Sequence, residues 1–161
     1  MFPLFIMDIK KDCDKINERA YHESGHIVFA NLMGIPISYA IICDTTEKDD
    51  KGKPTAHTEE TWIGKLKLKF LKKFSPEKCI IYFLSGGKVE SFYCKNNEKH
   101  PRDDQEIFSC LGNNQKLIAK AERYIDDKLL DPIIHAQIEG IAHILLDKKC
   151  HKNSEFLKII N

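Results

Sequence analysis

The chain has 161 residues, of which 42% are hydrophobic and 30% are charged, so its composition fits one soluble globular domain over residues 1–161. The formal net charge is +1, and three of the 25 basic residues are arginine, a balance that argues against a nucleic-acid partner. The apolar run within residues 1–11 is too short for a transmembrane segment and lacks a secretory cleavage pattern. We therefore expect a cytoplasmic protein whose six cysteines are mostly reduced thiols.

The first half of the chain predicts a helix followed by a small sheet. The helix begins at Asp14 or Asn17 and runs to about Met33, where a glycine followed closely by proline is a typical stop. The run IPISYAIIC at 35–43 is apolar and rich in β-branched residues, so it predicts a buried strand. Residues 44–62 indicate a loop with a second short strand at 55–59.

The middle of the chain predicts two further helices of different character. Within residues 63–74, lysines first alternate with apolar residues, as in a strand, and the last four residues suit a helix better. We predict a helix with a solvated lysine face. Ser75 and Pro76 then form a helix start, with serine as the N-cap and proline in the first turn. The helix that follows is apolar almost all round and should be buried. We expect residues 85–87, Ser-Gly-Gly, to interrupt or end it.

The last third of the chain predicts helices only. Asp103 or Asp104 begins a helix that residues 112–113, Gly-Asn, break. Two more helices follow at about 115–130 and 132–148, separated by Asp-Pro. The predicted fold class is therefore mainly α, with a small β-sheet beside the first helix.

The first helix carries two histidines four residues apart, within the stretch ERAYHESGHIVFANLMG at 18–34. Residues four apart lie on one helix face, so His22 and His26 can direct imidazole nitrogens at one metal ion. Glu23 lies about 100° further round the helix, where it can act as general base towards a water at that metal. This HExxH pattern predicts a catalytic Zn²⁺ site for hydrolysis, and the alternative is a pair of core or surface histidines.

Two further features of the motif extend this hypothesis. A glycine inside a helix costs about 1 kcal/mol relative to alanine, so Gly25 indicates that another element packs closely there. Catalytic zinc usually takes a third protein ligand, and Leu32 excludes the HExxHxxGxxH pattern that would supply it locally. The downstream candidates for this ligand are His57, Glu90, His100, Asp103 and Asp104. An alternative role for the two aspartates is to cap the helix that they open.

YHESGHIVFANLMG, LSGGKVES and RDDQEIFSCL resemble, in this order, the protease domain of the FtsH family of AAA+ zinc proteases. The closing helices are also similar, so the resemblance covers about residues 15–161. In that family a HEAGH-type helix precedes a strand region, a buried helix ending in a double glycine, and a helix whose opening aspartate is a zinc ligand. The resemblance implies a zinc metalloendopeptidase in which His22, His26 and Asp104 bind the metal and Glu23 is catalytic. Asp103 is the alternative third ligand.

The chain also departs from this family. It contains no GxxxxGK[ST] motif, which implies a protease that works without ATP. The family usually has two acidic residues after the double glycine, whereas this chain has Glu90 alone. Its lysine-rich stretch 65–73 has no counterpart in the family. Family likeness implies a peptide or unfolded protein as substrate, held as an added strand at Thr55, Ala56, His57 and Thr58. Rival functions are a catalytically silent FtsH-like binding or regulatory module and a zinc hydrolase of a non-peptide bond.

Overall fold

A computed structural model describes residues 10–42, 57–60, 73–95, 112, 114–147, 150–152 and 158–160. Within these ranges the longer helices are α1 (Lys15–Met33), α2 (Pro76–Tyr93), α3 (Gln115–Lys128) and α4 (Pro132–Asp147). The strands are β1 (Ile37–Ile41), β2 (His57–Glu60) and β3 (Cys150–Lys152). The predicted mainly helical class is confirmed. The helices predicted at 63–74 and after Asp103 or Asp104 lie outside the described residues, apart from 73–74, which form a turn and a bend.

Helix α1 has the ends that its sequence predicts. The Asp14 side chain accepts a hydrogen bond of 2.9 Å from the backbone N–H of Asn17, which satisfies one of the donors at the helix start. Gly34 ends the helix in the left-handed conformation, with φ of 72°, which glycine adopts without steric cost. Every residue from Ala20 to Ala30 is buried, so α1 is the central helix of the fold.

Helix α2 starts as predicted but continues beyond the predicted end. The Ser75 hydroxyl accepts from the backbone N–H of Lys78 at 3.3 Å, and Pro76 occupies the first turn. The expectation that residues 85–87 interrupt or end the helix is wrong, because α2 runs without a break to Tyr93. Here Gly86 permits a close approach to the histidines of α1.

Helices α3 and α4 lie within about two residues of their predicted bounds, with Pro132 beginning α4. Helix α1 packs against both α2 and α4, and α3 packs against α2. Buried side chains such as Phe29, Phe83, Ile125 and Ile138 fill the space between these helices. None of the described helices could span a membrane alone by length and hydropathy; α3 and α4 meet that test only together, across a bend of 89°.

The three described strands form an antiparallel sheet in the order β2-β1-β3. Strand β1 lies within the predicted stretch 35–43 and pairs Ala40 with Thr58 on one side and with His151 on the other. Strand β2 therefore has one neighbour among the described strands. Strand β3 was not predicted, because its three residues acquire their extended conformation by pairing with a strand more than 100 residues earlier.

Cys13 and Cys94 form a disulfide, so the expectation of reduced cysteines is wrong for this pair. The reason is that the segment before α1 lies beside the end of α2, although 81 residues separate the two cysteines. The Lys11 N–H donates to the Tyr93 carbonyl at 2.7 Å, and the Lys95 N–H donates to the Lys11 carbonyl at 3.2 Å. These contacts bring the two Cα atoms to 5.5 Å, within the usual range for a disulfide.

Candidate metal centre

The two histidines of α1 converge through their Nε2 atoms. These nitrogens are 3.1 Å apart, and the rings meet edge to face with an interplanar angle of 76°. His22 and His26 are 9% and 7% exposed, so most of each ring is removed from water. Two nitrogen ligands of a tetrahedral zinc ion, each 2.0–2.1 Å from the metal, lie roughly 3.3 Å apart. The observed separation is therefore compatible with a shared zinc ion.

Helix α2 holds the opposite nitrogen of each ring. His22 Nδ1 lies 3.0 Å from Oε2 of Glu90, and His26 Nδ1 lies 2.9 Å from the backbone carbonyl oxygen of Tyr82. A carbonyl oxygen can only accept, so His26 carries its hydrogen on Nδ1 and presents a lone pair at Nε2. An ionised Glu90 imposes the same tautomer on His22. Outer hydrogen bonds of this kind orient the imidazoles of metal sites.

The two Nε2 atoms need a proton or a metal ion between them when both Nδ1 atoms carry hydrogen. With both Nδ1 atoms protonated, the Nε2 atoms of His22 and His26 are acceptors that face each other across 3.1 Å. One additional proton, on the rings or on Glu90, would remove that conflict, and a metal ion would remove it equally. A hydrogen-bonded histidine pair beside Glu90 and a metal-binding pair are therefore both consistent with this geometry.

Gly86 provides the space around the two nitrogens. A Cβ atom at this position would lie 2.4 Å from His26 Nε2 and 2.7 Å from His22 Nε2, closer than real Cβ atoms approach other atoms. Any side chain at residue 86 would therefore clash with both Nε2 atoms. Gly87 differs, because nothing lies within 4 Å of its Cβ position. The first glycine of the pair is thus required by the site, and the second is not.

Gly25 makes the matching contact on α1. A Cβ atom there would lie 2.7 Å from the Ser85 carbonyl oxygen and 2.9 Å from Cβ of Val89. The prediction that another element packs closely at Gly25 is confirmed, and that element is α2. Gly25 and Gly86 together let the two helices approach closely enough for the histidine rings to reach acceptors on α2.

Glu23, the predicted base, lies between the two histidines in sequence and is 4% exposed. A glutamate is seldom buried to this extent in proteins without a polar partner or a functional reason. Its place on α1 next to the convergent pair makes it the nearest carboxylate in sequence to the proposed metal. A carboxylate at this position of an HExxH helix can act as general base towards a metal-bound water.

The candidate third ligands divide into two groups. Glu90 is within the described residues and contacts Nδ1 of His22, so it supports the ring from the side away from Nε2. Sequence reasoning considered Glu90 only as a ligand and missed this role, which depends on how α1 crosses α2. The side chains of His57 and Thr58, in β2, are not described. The other predicted site residues lie outside the described part of the chain, namely Thr55, Ala56, His100, Asp103 and Asp104. Among the described residues, no group of three or more His, Cys, Asp or Glu side chains is arranged to hold one metal ion.

A second polar cluster, partly exposed, begins one residue before His22. The Tyr21 ring stacks on Tyr93 with centroids 4.6 Å apart, and its hydroxyl donates to Oε2 of Glu139 at 3.0 Å. The Lys11 ammonium donates to the same hydroxyl at 3.1 Å. Burial raises the pKa of Tyr21, and burial followed by the nearby Glu139 charge raises the pKa of Tyr93. The Tyr93 hydroxyl also hydrogen-bonds with Nδ1 of His135.

No protein-family model and no curated protein matches this chain. The functional assignment of the histidine pair consequently depends on the geometry of the site and on the motif resemblance.

Proposed function

We propose that this protein is a zinc metalloendopeptidase that works without ATP and has an FtsH-like protease fold. The observation that carries the proposal is the 3.1 Å approach of the two Nε2 atoms, with the opposite nitrogen of each ring held by an oxygen atom from α2. The separation of the nitrogens suits two ligands of one zinc ion, and Gly86 lets both rings pack against α2. A buried glutamate follows the first histidine, as hydrolysis requires.

His22 and His26 would hold zinc through Nε2, with Asp104 as the proposed third ligand on the basis of the resemblance and Asp103 as its alternative. Zinc, when bound, polarises the scissile carbonyl and lowers the pKa of water at the site. Glu23 would accept a proton from the attacking water on a carboxylate oxygen and then donate it to the leaving amine. Glu90 and the Tyr82 carbonyl would keep both rings in the tautomer that binds metal.

A peptide is the substrate class that the sheet favours. Strand β2 has one neighbour among the described strands, and α1, which carries the histidines, contacts it. An extended peptide could add to β2 by backbone hydrogen bonds, which would hold the scissile bond in a fixed register. The proposed substrate is a peptide or an unfolded protein, which needs no prior unfolding to be cleaved.

A catalytically silent module is the second candidate, because a proton can replace the metal between the two rings. The cluster of His22, His26 and Glu90 would then be a buried charge pair that fixes the crossing of α1 and α2. In that case Glu23 has no catalytic role, and its replacement would leave any binding activity unchanged.

Cleavage of an unfolded, fluorescently labelled protein distinguishes the two candidates. The zinc-loaded protein should cleave it, and Glu23→Gln should reduce the rate by about 10²- to 10⁴-fold while zinc content is retained. Glu122→Gln, on α3, is the matched control and should cleave like the wild type. Equal rates for the wild type and Glu23→Gln, or no cleavage by the zinc-loaded wild type, would contradict the peptidase proposal.

A further inference from the structure

We propose that the Cys13–Cys94 disulfide is a thiol-exchange site, which a small zwitterionic thiol attacks at Cys13. The bond links the segment before α1 to the first residue after α2, and these helices carry the histidine pair and Glu90. The state of the disulfide would control how firmly Glu90 holds His22, a consequence that rests on the proposed zinc site.

The disulfide is accessible from one side. A cavity of about 210 Å³ lies between the segment before α1, α1 itself and α4, and Cys13 lines it. Cys13 is partly buried, whereas Cys94 is 0% exposed. We therefore assign the attack to Cys13, with Cys94 as the sulfur that leaves.

The cavity walls offer charges of both signs near the sulfur. Lys11, whose side chain is 56% exposed, pairs with Glu139 at 3.4 Å, and a zwitterionic molecule can exchange into this pair with its carboxylate on Lys11 and its ammonium group on Glu139. Asp12, which also lines the cavity, pairs with Lys95 at 3.6 Å. A thiol of amino-acid or short-peptide size that carries both groups matches this arrangement. A nearby lysine also favours the thiolate form, which is the nucleophile in disulfide exchange.

The exchange balances in two steps. The thiolate sulfur of the first molecule bonds to Sγ of Cys13, the bond to Cys94 breaks, and the electron pair leaves on Sγ of Cys94, which takes up a proton. A second thiolate bonds to the sulfur of the attached molecule, and Cys13 leaves as a thiolate that is protonated in turn. Two thiols are oxidised to one small disulfide, and the protein disulfide is reduced to two thiols.

The broken bond would affect the histidine pair through the last turn of α2. The Cys94 N–H donates to the Glu90 carbonyl at 2.8 Å, so the disulfide fixes the turn from which Glu90 reaches His22. The adjacent Tyr93 stacks on Tyr21, which precedes His22. Loss of the covalent link would loosen both contacts at once. Because partners outside the ligand set typically contribute 10- to 100-fold to metal affinity, we expect the reduced protein to bind zinc at least about tenfold more weakly.

Adduct mapping tests the site of attack. The oxidised full chain is treated with reduced glutathione, alkylated to stop exchange, and analysed by peptide mass spectrometry. The glutathione adduct should appear on Cys13, and Lys11→Ala should slow the reaction several-fold, with Lys116→Ala as an exposed control. The uncharged thiol 2-mercaptoethanol should react equally with all three proteins. An adduct on Cys94, equal glutathione rates for Lys11→Ala and the wild type, or no opening would overturn the proposal.

Zinc competition against a chromophoric chelator tests the coupling, with circular dichroism as a check on the fold. Reduction should weaken zinc binding while helicity is retained, and re-oxidation should restore it. Unchanged affinity after reduction, in a protein where Glu90→Gln weakens zinc binding, would overturn the coupling but not the metal site. Unfolding on reduction would overturn the switch, because the bond would then be a structural staple. Absence of zinc binding in the oxidised protein would overturn the metal site and the coupling, whereas the adduct map would still decide the attack at Cys13.

Discussion

Two polar clusters include residues of α1, a buried one around His22 and His26 and a partly exposed one around Tyr21, and they differ in the balance of their hydrogen-bond donors and acceptors. In the cluster around Tyr21, the Lys11 ammonium donates to the tyrosine hydroxyl, which donates to Glu139, so donors and acceptors alternate. In the cluster around His22 and His26, two acceptors face each other once their Nδ1 atoms are protonated. A balanced network serves the fold, whereas an excess of acceptors at one point is suited to a cation.

Gly86→Ala has the largest expected effect, and Gly87→Ala is its matched control. In Gly86→Ala the new methyl group would overlap both Nε2 atoms, so zinc binding should be lost and stability should fall by about 1–3 kcal/mol. In Gly87→Ala nothing lies within 4 Å of the new methyl group, so the unfolding free energy should rise by up to about 1 kcal/mol from helix propensity. Denaturant unfolding and zinc content measure both effects. Similar behaviour of the two variants would contradict the role given to Gly86.

Glu90→Gln should have the next largest effect, and it distinguishes a supporting residue from a ligand. Glutamine retains the size of the side chain but removes the charge that fixes the His22 tautomer, so zinc affinity should fall by about 10- to 100-fold. Chelator competition measures the change. Complete loss of zinc would indicate that Glu90 binds the metal directly. Unchanged affinity would show that its contact with His22 has no bearing on the metal.

Tyr21→Phe tests the balanced cluster. The variant keeps the ring that stacks on Tyr93 but loses the hydroxyl between Lys11 and Glu139, which should cost about 0.5–1.5 kcal/mol of unfolding free energy. Zinc affinity should remain at the wild-type value, because no atom of the histidine cluster is removed. A large fall in zinc affinity would show that the two clusters are not independent.

The smallest expected effect is a loss of stability at high pH. Burial raises the pKa of Tyr21 and Tyr93 in the folded protein, so the unfolded chain releases these protons first, near the ordinary tyrosine pKa of about 10. Stability from this source is complete below that pH and falls as the pH rises above it. Urea unfolding between pH 8 and 11 should show the decline, and Tyr93→Phe should make it shallower. If unfolding free energy falls equally steeply with pH in Tyr93→Phe, Tyr93 does not contribute to the loss of stability.

Helix ends that depend on neighbouring residues could be predicted from the sequence, whereas those that depend on tertiary contacts could not. The caps at Asp14 and Ser75 and the end of α1 at Gly34 depend on adjacent residues, and each was predicted. The continuation of α2 through Gly86 was not, because glycine serves both as a helix breaker and as a point of close approach. The sequence alone cannot distinguish these uses.

The candidate site divides in the same way. The HExxH spacing places His22 and His26 on one face of α1, and this needs no knowledge of the rest of the chain. The contact between Glu90 and His22 depends on the crossing of α1 and α2, and the link from Cys13 to Cys94 depends on a segment that returns across 81 residues. Such non-local contacts leave no local pattern in a single sequence.

Zinc stoichiometry is the most direct test of the central claim that the cation between the two Nε2 atoms is a metal ion. The protein would be loaded with zinc, dialysed and measured by elemental analysis beside Glu23→Gln, His26→Gln and the exposed control His143→Gln. We predict one zinc ion per chain in the wild type, Glu23→Gln and His143→Gln, and none in His26→Gln. A folded wild-type protein that retains no zinc would contradict the account and show that the histidine pair holds a proton instead.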